Sequence, residues 1–346
     1  MPLITGYSQV KEVYQEAAAL GVGLPVFCAE DRETLEAILA SAAEFGRDIG
    51  VEDLPIIPAF TVRYPPRGQM TLITACGDPV LGTQLMFSDL EVFAGENSPY
   101  RQLRVMPHLD HAFPWLDGDI LEQYADQFAS VMCDASERPF EENIRLTAAY
   151  VDRVRGRVVV EGAVDEIFEA GGAGPKNEPT TVERARRFVA ETGVDIIVPN
   201  VGTEHRATAD QAQYNGERAR EISAAVGKIL CLHGTSSVKA EDLSRLPADG
   251  FVKINIYTTL AVRGGQAVAR RVLDDLDQIF TRDQLDVLVK VGILSERMVE
   301  EGRARAVGPS LDRVTNPLRR DAWFEAVKDR CRDFFEQFNY RNYAGR

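Results

Sequence analysis

The sequence predicts a (β/α)8 barrel carrying extra helices at its C-terminal end. Three observations predict it. Eight short apolar runs alternate with segments of helical periodicity over about 270 residues, the pattern of parallel strands in βα units. No glycine-rich dinucleotide fingerprint follows the first run, which argues against a doubly wound sheet. Each of the four histidines stands just past an apolar run, and none lies in a helical pattern or a tail. No internal repeat, low-complexity stretch or linker interrupts the chain, so one domain spanning 1–346 is expected.

The elements follow in order. Residues 8–20 have helical spacing, with Ser8 as N-cap and Val10, Val13, Tyr14 and Ala17 on one face; Gly21 and Gly23 end the helix. A buried strand is expected at 24–28. Asp31 caps the next helix, where Leu35, Ile38, Leu39 and Ala42 share a face. The second strand falls at 56–62. Prolines and glycines punctuate 62–101, where 70–75 reads as an extra hairpin strand and 79–93 as a helix. The third strand, 102–107, delivers His108-Leu109-Asp110-His111.

Beyond it the alternation is regular. Helices are expected at 121–129, 140–155, 178–191, 210–226 and 240–245. Strands are expected at 130–133, 157–161, 195–201, 229–232 and 251–256. Gly193 and Gly227 sit where helix C-caps belong. Residues 262–300 look helical. The last segment, 316–338, is an amphipathic helix with Trp323, Val327, Cys331, Phe334 and Phe335 on one side.

Composition narrows the function. Apolar residues make up 45% of the 346 and charged residues 27%, enough for a sizeable core. The net charge of −14 argues against nucleic-acid or anionic-membrane partners, which need concentrated positive charge. The five cysteines are widely spaced without a CxxC, which reads as buried reduced thiols, a catalytic cysteine being the alternative. No apolar run reaches the ~18 residues of a membrane span and no signal pattern opens the chain, so a soluble cytoplasmic protein is expected.

In a barrel the C-terminal strand ends open onto one face, where chemistry gathers. His108 and His111 end strand three, His205 strand six and His233 strand seven, so histidines distant in sequence converge. Three imidazoles with one position open make a catalytic metal geometry, and the open position can polarise a carbonyl. Asp110 can orient a ligand or shuttle a proton. Asp134 and Glu161, near the ends of their strands, read as supporting acids, as an alternative metal position, or as plain hydrogen-bonding groups at the mouth. Asn255 at the end of strand eight can bind a substrate hydroxyl or enolate oxygen. Gly234-Thr235-Ser236-Ser237 after strand seven offers amides and hydroxyls to an anion.

These residues resemble the class II, metal-dependent fructose-bisphosphate aldolases and their tagatose-bisphosphate relatives. His108-Leu109-Asp110-His111 matches that family's HxDH motif, and Ser130–Ser136 with Pro139–Asn143 resembles its fourth strand and following helix. Val160-Glu161-Gly162, Val201–His205, Leu232–Ser236 and Val252–Ile256 resemble its later strand ends. The resemblance implies Zn²⁺, or another divalent ion, held by His111, His205 and His233, with His108 as a neighbouring or alternative ligand. It implies proton transfer assisted by Asp110 and substrate contact by Asn255. Gly234 and Ser236 would grip a phosphate, with Thr258 beside them. The implied reaction is reversible aldol cleavage of a ketose through an enediolate, in a homo-oligomer, dimer or tetramer.

Departures from the family cluster around the substrate. Arg206 replaces a glycine after the strand-six histidine, Thr235 the second glycine of an HGGS motif, and Tyr257 an aspartate. Ala163 replaces an acid, and 170–178 replaces an acid-rich loop, leaving Glu178 as a candidate proton carrier beside the stronger Asp110. Arginine for glycine adds a bidentate anion clamp or blocks the old one. An aldolase for a sugar-like substrate other than fructose 1,6-bisphosphate is therefore expected. Two alternatives are a metal-dependent hydrolase on the same barrel and a non-catalytic binding relative. The first lacks the HxH after strand one and the carbamylatable lysine of barrel amidohydrolases.

Overall fold

The eight apolar runs become eight parallel strands. In the computed structural model, which describes residues 3–29, 31–64, 68–166, 178–205, 213–227, 229–305 and 316–345 (backbone only at 301–305 and 316–320), these are β1 (Leu24–Cys28), β2 (Pro55–Phe60), β3, β4 (Ser130–Cys133), β5 (Val159–Ala163), β6 (Ile196–Val198), β7 (Leu230–Leu232) and β8 (Phe251–Ile256). Strand β3 runs as two segments, Arg104–Val105 and His108–Ala112. Its register on β2 is unbroken across the gap: Ile56 lies opposite Val105 and Ala59 opposite His108. Pro107, which has no N–H to give, marks the interruption. Each strand pairs with the next, and β1 pairs with both β2 and β8, so the sheet closes into a barrel.

Most departures from the sequence expectations have a local cause. The first helix starts at Tyr7 with Gly6 as its cap, not Ser8. Residues 70–75 form no strand; Gln69–Leu72 is a helical turn, held because Gln69 Oε1 accepts the Thr61 N–H at 2.7 Å. The helix expected at 121–129 is instead Gly118–Gln123 followed by a 3₁₀ turn. Strand β5 begins at Val159 because the turn after the preceding helix reaches Arg157, with Gly156 at a φ of +73° and the Arg157 N–H bonded to the Val154 carbonyl at 2.9 Å. That shift sets Glu161 in the middle of the strand, inside the barrel. The Asp31 cap is as expected, its carboxylate accepting the Thr34 N–H at 2.9 Å.

The terminal helix Asn316–Gln337 lies across helix Arg32–Ile49 and β1. Phe334 and Phe335 are fully buried; Phe335 meets Phe27 edge-on at 5.6 Å and Phe45 at 5.4 Å. Each such side chain contributes about 1.5–3 kcal/mol of hydrophobic stabilisation. Gly264 in helix Thr258–Asp274 permits the approach of Trp323, since a Cβ there would lie 2.6 Å from the indole. Among the described residues no helix is long and apolar enough to cross a membrane.

Candidate metal centre and active site

Strand alternation explains half of the His108–His111 motif. Side chains two apart share a face, so His108 and Asp110 enter the barrel together while Leu109 joins the apolar layer. The same rule would turn His111 outward. Instead the pairing with β4 slips between Leu109 and Ala112, and His111 adopts a φ of +46°. Left-handed backbone at a non-glycine residue stores strain. Here it swings a second imidazole into the mouth, beside His233.

His111, His205 and His233 bring their ligand atoms within 4.8 Å of one another. His111 Nε2 and His233 Nδ1 face each other at 3.1 Å, near the ~3.4 Å expected of two donors ~2.1 Å from one tetrahedral ion. Their outer nitrogens meet carboxylates: His111 Nδ1 lies 2.7 Å from Asp134 Oδ2, and His233 Nε2 lies 3.2 Å from Glu161 Oε1. Asp134 is itself fixed by the Ser136 N–H at 3.1 Å and hydroxyl at 2.7 Å. Each carboxylate accepts the outer N–H and leaves the inner nitrogen a lone pair. Two opposed lone pairs repel unless a cation lies between them, so the donor set fits a divalent ion. Three neutral imidazoles with an open position suit Zn²⁺. Burial favours the neutral form of His233 and pushes its pKa down, against the opposing hydrogen bond to Glu161.

Beneath this cluster lies a charged layer that is wholly buried. Lys253 Nζ is 2.9 Å from Glu161 Oε2 and donates to His108 Nε2 at 3.1 Å and Asn255 Oδ1 at 3.0 Å. The other His108 nitrogen faces Ser130 Oγ at 2.9 Å. Both ring nitrogens of His108 are therefore engaged, by Lys253 and Ser130, and among the described residues it is not in the group His111, His205 and His233. Burial and Lys253 push its pKa down to about 3. Burial alone would raise the pKa of Glu161, but Lys253 and the His233 hydrogen bond outweigh it and hold the carboxylate well below its usual range.

Asp110 Oδ1 accepts the Asn255 amide at 3.0 Å, while Oδ2 receives the Cys28 thiol at 3.6 Å. These groups line the same pocket as the three histidines, together with Gly234, Ser236, Tyr257 and Thr258. Gly234, at φ +72°, admits no side chain, since a Cβ would lie 2.8 Å from the Glu204 backbone. Asp134 and Glu161 stand behind His111 and His233 respectively; of the two, Glu161 also belongs to a deeper group with Cys231 and His233. Glu178 is exposed and is not among the described residues that line this pocket. Arg206 lies outside the described residues.

Sequence reasoning missed Lys253, Cys28, Cys231 and Tyr64. Tyr64 stacks on His111 at 4.5 Å and 13°, walling that imidazole from the β2 side. Lys253 had a signal: the one charged residue in the buried run Phe251–Ile256, two residues before Asn255 and so on the same face.

Comparison with known proteins agrees with this fold. The family model of fructose-bisphosphate aldolase class-II matches residues 8–339. The GatY subunit of D-tagatose-1,6-bisphosphate aldolase from Klebsiella oxytoca is 27% identical over 263 residues, 75% of this chain and 84% of that protein. Among solved structures, fructose-bisphosphate aldolase (Fba) from Campylobacter jejuni superposes with a TM-score of 0.74 at 20% identity, covering 99% of this chain and 96% of that one. The YdjI aldolase from Escherichia coli K12 gives 0.66 at 21%, covering 97% and 98%. A match running nearly from end to end, over a barrel that gathers three histidines at its mouth, places this chain in the class II fructose-bisphosphate aldolase family.

Proposed function

We propose that this protein is a metal-dependent aldolase that cleaves and forms a carbon–carbon bond in a phosphorylated ketose other than fructose 1,6-bisphosphate. The observation that carries the reading is the convergence of His111, His205 and His233 beside the buried Asp110–Asn255 pair. The three imidazoles would hold Zn²⁺ or another divalent ion, which when bound supplies Lewis acidity to a substrate carbonyl. Asp110 takes the proton from the reacting hydroxyl and returns it in the reverse direction. Asn255, hydrogen-bonded to Asp110 and Lys253, fixes the direction in which that carboxylate faces. A barrel mouth shielded on one side by Tyr64 keeps water from the electron pair left by bond scission.

The phosphate seat is assigned to Gly234, Ser236 and Thr258. Thr258 opens a 17-residue helix whose free N–H groups and dipole favour an anion. Among the described residues the pocket lining includes no lysine or arginine, so these amides and hydroxyls form the seat, with Arg206 as the candidate clamp. Tyr257 stands where a carboxylate would otherwise accept sugar hydroxyls, and this shifts the preference away from the common hexose bisphosphate. The GatY similarity supports a phosphorylated ketose as the substrate class.

The test is a panel of phosphorylated and unphosphorylated ketoses and keto acids given to the zinc form, with aldehyde release as the readout. Release from a ketose phosphate is expected. Full activity on fructose 1,6-bisphosphate would refute the altered pocket, and no aldehyde from any ketose would refute the aldolase reading. Exchanging Tyr257→Asp and Arg206→Gly should move the preference toward fructose 1,6-bisphosphate.

A further inference from the structure

Among the described residues, the barrel interior holds two sets able to bind a cation, and they share one histidine. The upper set is His111, His205 and His233. The deeper set is Glu161, Cys231 and His233, all buried, with ligand atoms again within 4.8 Å. A carboxylate, a thiol and an imidazole are by themselves a competent zinc-binding combination. The pocket reaches only the upper set; Glu161 and Cys231 do not line it. An ion that settled deep would be held away from any substrate.

We infer that Lys253 decides between the two positions, occupying the deeper one with its own ammonium group. Its Nζ lies 2.9 Å from Glu161 Oε2 and 3.6 Å from Cys231 Sγ, with no exposed surface. His108 Nε2 and Asn255 Oδ1 complete the ring around it at 3.1 Å and 3.0 Å. An ammonium has three protons, and His108, Asn255 and Cys231 take them. Glu161 Oε2 is approached without the alignment of a directed hydrogen bond, so charge is what holds it. A divalent ion cannot share this space, because two cations a few ångströms apart in a medium of low dielectric repel strongly. Lys253 is thus a positioning residue. It withholds the carboxylate and the thiol from the metal, and it leaves the ion three imidazoles at the open end of the barrel.

This inference rests on the metal reading of the upper site, and cobalt spectroscopy separates the two. Co²⁺ replaces the native ion in the full-length protein, and metal content is measured alongside the absorption spectrum. The wild type should bind one equivalent without a thiolate-to-cobalt charge-transfer band, and Cys231→Ser should leave its spectrum unchanged. Lys253→Ala should gain the charge-transfer band, and Lys253→Ala with Cys231→Ser should lose it again. Lys253→Gln, whose longer side chain ends in an uncharged amide, is measured in parallel in case the alanine variant does not fold. A thiolate band in the wild type, or a cobalt spectrum altered by Cys231→Ser alone, would overturn the inference without any lysine variant. A folded Lys253→Ala or Lys253→Gln protein with the wild-type spectrum would overturn it as well. A wild type that binds no cobalt would overturn the metal reading itself, and this inference with it.

Discussion

The layer around Lys253 and the seam under the terminal helix are both fully buried, yet they are held by opposite means. In the seam, Phe27, Phe45, Phe334 and Phe335 pack as hydrocarbon, and stability grows with the area covered. In the interior, Glu161, Lys253, His108 and Asn255 bury charges and amides that are tolerable only because each completes another. The seam is a reservoir of stability with no chemistry attached. The interior costs stability and returns orientation, fixing the tautomer of His108 and the facing of His233 and Asn255. The molecule therefore separates what keeps it folded from what aims its histidines.

The most direct attack on that separation is to empty the proposed metal site. Chelation, or His233→Ala, should remove several kcal/mol of transition-state stabilisation, ~10³-fold or more in kcat. The far-ultraviolet circular dichroism should be unchanged, because the seam is untouched. If the fold collapsed together with activity, the metal would be structural and the division between the two regions would be wrong.

Next comes a matched pair. Phe335→Ala should cost about 3–5 kcal/mol of stability in urea unfolding, through the cavity it leaves. The folded fraction should keep its kcat. Glu161→Ala should cost a similar ~3–5 kcal/mol by leaving Lys253 charged and unpaired in the interior, but should also lose most activity as His233 loses its outer partner. Equal effects on kcat from the two variants would erase the distinction.

Asp134→Asn is a gentler probe. The amide can still meet His111 Nδ1 but no longer holds the imidazole by charge. A 10–100-fold loss in metal affinity is expected, with little change in unfolding midpoint. Competition with a metal indicator reads it directly.

Legibility follows the same division. The seam was readable because helical spacing repeats: Val327, Cys331, Phe334 and Phe335 recur on one side of the terminal helix, and all are buried. The three histidines were readable because a barrel sends every strand end to one face. The polar interior was not, for physical reasons. The reach of Lys253 depends on β8 lying across from β5, a pairing of faces that no local pattern encodes. The inward turn of His111 depends on a register slip against β4, which strict alternation denies. Glu161 looks like a strand-end acid in the sequence, but the strand runs on to Ala163 and leaves it at the centre, facing inward. Tyr64 follows strand β2 in a stretch read only as irregular.

The smallest expected effect concerns protons, and it tests whether the interior is built for neutral histidine. His108 is held at a pKa of about 3 in the folded protein, against ~6.5 in an unfolded chain. Between these values the unfolded state binds the proton and the folded state does not, so acid favours unfolding. Stability from this residue is intact at neutral pH and declines as pH falls below ~6.5, losing about 2 kcal/mol between pH 7 and pH 5. His108→Gln removes the titration while keeping an amide for Ser130 or Lys253. The variant begins less stable at pH 7, yet its metal-free form should lose about 2 kcal/mol less than the wild type over the same range. Urea unfolding of both proteins at the two pH values measures the difference in slope, which is insensitive to the packing change common to both pH values. Parallel slopes would mean that the imidazole carries its proton inside the barrel, where Lys253 at 3.1 Å would then oppose it.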